Sequence, residues 1–182
     1  MKIILVLVLS IIHTFYTSAQ PVLKPGMYRS VLYREDKKEV VFTLEVKQVN
    51  NQMQLSIINA AEKILIKELE IKNDSVNFKM PVFESEFKTQ IQADGSLKGT
   101  WFKGTADKTQ QWPFVALLWK KRFEPDQGKA KNNISGRWEV TIKRANGTLR
   151  YATAEFVQNG NNLTGTFLTP SGDYRYLQGI VT

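Results

Sequence analysis

The sequence predicts an all-β protein in which an antiparallel meander closes into a barrel or folds as a sandwich, followed by a second, incomplete β-unit. Apolar residues recur at every second position along the chain, which is typical of strands that bury one face. Pairs of turn-forming residues separate these stretches at hairpin-like spacing. Short connections between successive strands predict a meander.

The clearest strand covers residues 40–47, where apolar and largely polar positions alternate. The same alternation predicts strands around Met53, Leu55 and Ile57, around Val76, Phe78 and Met80, around Phe83, Phe87 and Ile91, and around Trp138, Val140 and Ile142. The turn signals between strands include Asn50-Asn51, Asn73-Asp74, Asp94-Gly95, Asn146-Gly147, Asn159-Gly160 and Ser171-Gly172.

Residues 60–71 have a helical alternative, but two short strands joined by a kink fit the pattern at least as well, and we predict no helix after residue 19. Residues 123–134 are polar and lack periodicity, which predicts a linker. The predicted domains are therefore a first β-meander domain at 20–122, with about eight strands, and a second β-unit at 135–182.

The second unit repeats the first at a constant offset of 110 residues. The matched pairs are Gly26 with Gly136, Tyr28 with Trp138, Val46 with Phe156, Asn51 with Asn161, Met53 with Leu163, and Ile57 with Phe167. On this alignment Thr182 corresponds to Lys72, after about four strands. A domain that ended there would expose unpaired edges, so we predict a truncated piece of a longer protein and self-association through exposed strand edges.

Two stretches place a turn before a strand that contains a glycine, Gly95–Trp101 and Asn161–Phe167. A glycine inside a strand marks a bend or a close approach of two backbones. Gly99 and Gly165 therefore predict strongly curved sheets.

The N-terminus predicts a signal peptide at residues 1–19. Lys2 precedes an apolar run at 3–12, and small residues follow before a cut ahead of Gln20. The alternative is a membrane anchor, but the run is shorter than the roughly 20 residues that span a bilayer. We expect export to the periplasm or the extracellular space, with no transmembrane segment after cleavage.

The composition excludes several kinds of chemistry. The chain has 182 residues, with one His and no Cys, and His13 lies in the predicted signal peptide. Thiol catalysis, Cys/His zinc sites, His-ligated haem and Ser-His or Cys-His pairs are therefore excluded in the mature chain. We predict that this chain is not an enzyme and has no catalytic, cofactor-binding or metal-binding residue.

The net charge is positive, with 25 Lys and Arg against 17 Asp and Glu. The basic residues are spread along the chain, and the densest run, at 120–122, stands at the edge of a predicted strand. This placement is typical of solubilising residues, so we predict no nucleic-acid partner.

Four tryptophans are candidates for the lining of a ligand cavity: Trp101, Trp112, Trp119 and Trp138. The alternative is that they fill the interior and cover the ends of a barrel, as aromatic residues generally do in protein cores.

The order of several segments resembles the N-terminal β-rich region of secreted TlpA-like thiol-disulfide reductases from Bacteroidetes-type bacteria. The segments are the opening strand Gly26-Met27-Tyr28, Met80–Glu86, Gly95–Trp101, Trp112–Ala116 ahead of Arg122-Phe123, and Gly165–Leu177. In that family a thioredoxin-fold domain with a Cys-x-x-Cys pair follows. This chain has no Cys, so the resemblance implies no catalytic residue here, although a longer parent would be a thiol-disulfide reductase.

Three functions remain open. The first is a non-catalytic extracytoplasmic accessory domain of a TlpA-like oxidoreductase, which docks or positions a C-terminal thioredoxin domain or its substrate protein. The second is a free-standing, lipocalin-like binder of a small apolar ligand inside the first meander. The third is an adhesion or scaffold module that uses strand edges and basic charge.

Overall fold

The computed structural model describes residues 20–82, 84–104, 109–123, 128–144 and 146–182. It confirms the all-β prediction, because these residues form two antiparallel sheets and no helix. No helix in the described ranges is long and apolar enough to cross a membrane. The predicted signal peptide lies outside the described residues, as do Phe83 and residues 124–127 of the predicted linker.

The first sheet is strongly curled and contains nine strands. They are β1 (Gly26–Tyr33), β2 (Glu39–Val49), β3 (Gln52–Asn59), β4 (Glu62–Leu65), β5 (Glu68–Lys72), β6 (Ser75–Lys79), β7 (Ser85–Ile91), β8 (Leu97–Gly104) and β9 (Thr109–Leu118). Their order is β4-β3-β2-β1-β9-β8-β7-β6-β5, so the first and last strands pair in the middle. The stretch with a helical alternative forms the short edge strands β4 and β5, as the two-strand interpretation predicted.

The inner face of this sheet is the core of the protein. Tyr28, Leu44, Leu55 and Leu97 are completely or almost completely buried there. Phenylalanine rings fill its centre: the centroids of Phe78 and Phe87 are 4.4 Å apart, Phe87 and Phe114 are 4.9 Å apart, and Phe42 and Phe87 are 6.2 Å apart. The alternating pattern of the sequence is thus the pattern of inward side chains.

Gly99 permits the curvature of the first sheet. A Cβ atom at this position would overlap the carbonyl oxygen of Lys88 and the Cα of Thr89 on β7. Gly165 has the same role in the second sheet, where a Cβ would overlap the carbonyl oxygen of Glu155. The glycines of both predicted turn-and-strand stretches therefore lie at close backbone approaches, as expected.

The second sheet has five strands: β10 (Gly136–Lys143), β11 (Leu149–Asn159), β12 (Asn162–Thr169), β13 (Gly172–Asp173) and β14 (Leu177–Ile180). Strands β10 to β13 follow in order, and β14 also pairs with β12. The first three strands begin and end 110 residues after β1, β2 and β3.

Pairing and turns repeat at the same offset. Gly26 pairs with Val46, and Gly136 pairs with Phe156 in the same way. Tyr28 donates its hydroxyl proton to the carbonyl oxygen of Lys24 at 2.9 Å, and the indole N–H of Trp138 donates to the carbonyl oxygen of Ile134 at 2.9 Å. The side-chain oxygens of Asp36 and Asn146 accept backbone N–H groups two residues ahead, at 3.2 and 3.1 Å. These matches support a duplication.

Arg122 joins the two sheets. Its guanidinium donates to the carbonyl oxygen of Val41 at 3.0 Å, to Oδ1 of Asn59 at 2.8 Å and to Oε1 of Gln178 at 2.8 Å. Burial without a carboxylate partner lowers the pKa of Arg122. An ion pair between Arg175 and Glu62 lies at the same junction.

The described part of the predicted linker is attached to the second sheet. The backbone N–H of Ile134 donates to Oε1 of Gln158 at 2.8 Å, and Nε2 of Gln158 donates to the carbonyl oxygen of Asn132 at 2.9 Å. Nδ2 of Asn161 donates to the carbonyl oxygen of Gly128 at 2.6 Å. Residues 128–134 therefore lie against the β11–β12 turn, held by side chains whose role the periodicity of the sequence does not reveal.

Candidate functional site

An apolar cavity of about 300 Å³ opens at one end of the first sheet. It lies where β1 and β3 end and where β2 and β7 begin. The lining residues come from five strands and from the turn after β6: Leu32, Val40, Phe42, Ile57, Met80, Ser85, Phe87, Trp101 and Lys103. The register of the strands brings these side chains together, because Leu32 pairs with Val40, Phe87 with Trp101, and Ser85 with Lys103.

Aromatic side chains form the deep wall of this cavity. Phe42, Phe87 and Trp101 are buried and belong to the core cluster, so they hold fixed positions at the bottom of the cavity. Leu32 and Ile57 complete the apolar surface and are also buried. Such a surface favours an apolar ligand, because water in contact with it gains little hydrogen bonding.

Two polar side chains line the mouth. Ser85 and Lys103 face each other directly across β7 and β8. Lys103 is half-buried and is the single charged residue among the described residues of the lining. It makes no ion pair and no hydrogen bond with any residue in the described ranges.

Arg34 and Asp36 lie in the turn after β1 and form an ion pair. Two guanidinium–carboxylate hydrogen bonds of 3.0 Å join them. These bonds lower the pKa of the Asp36 carboxyl, and the same contact raises the pKa of Arg34. The Arg34 guanidinium also lies 5.5 Å from the centre of the Trp112 ring. The carboxylate of Asp36 therefore balances the charge of Arg34, whereas no described carboxylate pairs with Lys103.

The four predicted tryptophans do not converge on one site. Trp101, 9% exposed, lines the cavity, and Trp112 packs beside it with ring centroids 4.8 Å apart but is not in the lining. Trp119 is 69% exposed at the end of β9, next to Gly26. Trp138 is 48% exposed on the second sheet. Of the four, Trp101 alone borders this cavity.

The remaining lining residues were not among the sequence-based candidates. A signal for them exists in the strand pattern, since Leu97, Gly99, Trp101 and Lys103 occupy successive inward positions of β8. A lysine at an inward position departs from the apolar pattern of the strand, which makes Lys103 a candidate for binding a polar group.

Other depressions in the described structure are weaker candidates. One of them, about 620 Å³, lies on the second sheet and includes Glu139, Thr141 and Tyr151. Its lining mixes polar and apolar side chains, so it offers an apolar ligand less continuous apolar surface than the cavity of the first sheet does. No group of three or more His, Cys, Asp or Glu side chains suited to a metal occurs within the described ranges.

Comparisons with known proteins assign no family to this chain. No family model matches it, and neither a curated protein nor a solved structure is significantly similar. The relationship to TlpA-like reductases therefore stays a prediction from the motifs.

Proposed function

We propose that the first β-unit, residues 20–122, is a binding module that takes a small apolar ligand into the cavity at the end of its curled sheet. The observation that carries this proposal is the cavity of about 300 Å³ walled by Phe42, Phe87 and Trp101. Its volume lies at the lower end of the range typical of small-molecule sites. A ligand there replaces weakly held water at an apolar surface that the fold has already formed.

The binding test uses the full chain and a neutral fluorescent probe, N-phenylnaphthylamine. We expect its emission to rise on binding and to fall when decanol is added in competition. Met80→Trp fills the mouth, because Met80 lines the cavity, and should abolish the rise. Val82→Trp is the matched control, since Val82 is exposed and does not line the cavity. Equal emission from all three proteins would contradict the proposal.

A second candidate is the accessory role in a TlpA-like thiol-disulfide oxidoreductase, in which this chain docks or positions a thioredoxin domain outside the cytoplasm. Besides the motifs, the exposure of the second sheet favours it. Trp138 is exposed, and Val140, Ile142, Phe156 and Phe167 on the same face are only half-buried. A face of this kind suits contact with another folded unit.

The accessory role is tested by sequencing the DNA beyond the codon for Thr182. An open frame that continues into a Cys-x-x-Cys thioredoxin domain would support it. A stop codon with no thioredoxin-like frame downstream would overturn it. Neither result affects the binding experiment, because that experiment measures only whether a ligand enters the cavity of the first sheet.

A further inference from the structure

We infer that the ligand of the first sheet is a small apolar carboxylate whose carboxylate group binds Lys103 at the mouth of the cavity. This inference rests on the proposed binding function and adds the chemical class of the ligand. It is carried by one juxtaposition: among the described residues, the Lys103 ammonium has no partner and stands at the rim of a lining that is otherwise uncharged and aromatic-walled.

The lack of a partner distinguishes Lys103 from other cations on the neighbouring strands. Lys79 lies 3.1 Å from a carboxylate oxygen of Glu68, and Lys88 lies 3.1 Å from Glu86. Both point outward from the sheet. Lys103 is half-buried on the inward face of β8 and lines the cavity, so its ammonium group can reach a ligand held there. Among the described residues no carboxylate pairs with it, which leaves it available to an anionic ligand.

Ser85 completes the recognition of the head group. It is buried directly opposite Lys103 in the β7–β8 pairing, a position from which side chains of neighbouring strands reach the same atom. Its hydroxyl can donate one hydrogen bond to a carboxylate oxygen, while the Lys103 ammonium donates to the other. An alcohol head group receives weaker bonds, since it carries no charge.

The rest of the cavity limits the ligand to one charged end. Phe42, Phe87 and Trp101 offer apolar surface to a hydrocarbon chain or an aromatic ring. Because the described lining contains no second charged side chain, a ligand with charge at both ends would bury one charge without compensation from these residues. The expected class is therefore a monocarboxylate with a short apolar body.

Calorimetric titrations with decanoate, decanol and decyltrimethylammonium at neutral pH test this inference. Wild-type protein should bind decanoate best and decyltrimethylammonium worst. Lys103→Met should weaken decanoate binding at least about tenfold and weaken decanol binding by a clearly smaller factor. Lys103→Arg should retain most of the decanoate affinity. Lys98→Met is the matched control, because Lys98 is exposed on the same strand and lies outside the lining.

The results separate this inference from the binding function beneath it. If decanol and decanoate bind equally well and Lys103→Met alters neither, the carboxylate inference is wrong and the apolar binding function stands. If none of the three compounds binds wild-type protein, the binding function itself is wrong. A selective loss of decanoate affinity in Lys103→Met alone supports both.

Discussion

The first three strands of each sheet share boundaries, register and turn contacts, yet their burial differs. Tyr28 is completely buried in the first sheet, whereas Trp138, its counterpart, is 48% exposed in the second. The difference comes from β6 to β9, which pack against the inner face of β1–β3 and have no counterpart among the described residues of the second sheet. Local sequence therefore sets strand pairing, and the strands that follow decide whether a face becomes a core with a cavity.

The largest contrast should come from removing the two equivalent aromatic rings. Tyr28→Ala removes a ring with no exposed surface, so we expect the free energy of unfolding to fall by about 3–5 kcal/mol. Trp138→Ala should cost less than about 1 kcal/mol, because its ring is half in solvent. Urea unfolding followed by far-ultraviolet circular dichroism measures both. Equal losses would mean that the second sheet is covered in solution.

The next contrast tests whether both sheets depend on a close approach of backbones. Gly99→Ala and Gly165→Ala each place a Cβ against a backbone carbonyl, and each should lower the free energy of unfolding by about 1–3 kcal/mol. Gly104→Ala and Gly179→Ala are the controls on β8 and β14, since nothing lies within 4 Å of a Cβ there. The melting temperatures of the four variants, compared with that of the wild-type protein, measure these losses. Indistinguishable melting temperatures would remove the steric explanation of the curvature.

A smaller effect is expected where the sheets meet. Arg122→Met removes the guanidinium donor from the carbonyl of Val41 and from the amide oxygens of Asn59 and Gln178, which should cost about 1–3 kcal/mol. Oε1 of Gln178 keeps the backbone N–H of Ala60 as a donor, at 3.2 Å. Arg137→Met removes an exposed ion pair with Glu155 and should cost less than about 1 kcal/mol. Hydrogen exchange of the backbone N–H of Gln178 should accelerate in Arg122→Met and stay unchanged in Arg137→Met. The opposite order would contradict the role of Arg122.

The smallest effect distinguishes the two equivalent turns by charge. Asp36 and Asn146 make the same turn contact, but Arg34 lowers the pKa of the Asp36 carboxyl. A lowered pKa stabilises the fold above the unfolded value of about 3.9, and this contribution is lost as pH falls through the folded pKa. Asp36→Asn should therefore reduce stability slightly at neutral pH and flatten its decline below about pH 4. A pH series of melting temperatures measures this. An unchanged decline would contradict it.

Much of the fold could be predicted from alternation and turn residues, because both are local properties. The pattern at residues 40–47 lies in β2, the stretch at 60–71 divides into β4 and β5, and the offset of 110 residues recurs in the register. The first sheet has nine strands where about eight were expected, since short edge strands carry a weak periodic signal.

The candidate site was less predictable. Aromatic content singled out Trp101 together with three tryptophans that lie outside the lining, since composition does not reveal which strand ends meet. Lys103 and Ser85 come together through the register of β7 and β8, a tertiary feature. The alternation of side chains along β8 predicts that Lys103 faces inward. That no described acidic residue pairs with it follows only from the tertiary structure.

The measurement that tests the central claim most directly is a nuclear Overhauser experiment on the full chain with decanol. We predict contacts from decanol protons to the rings of Phe42, Phe87 and Trp101, and none to the ring of Trp138. Contacts confined to Trp138 and Tyr151 on the second sheet, or no contacts at all, would contradict the assignment of ligand binding to the first sheet.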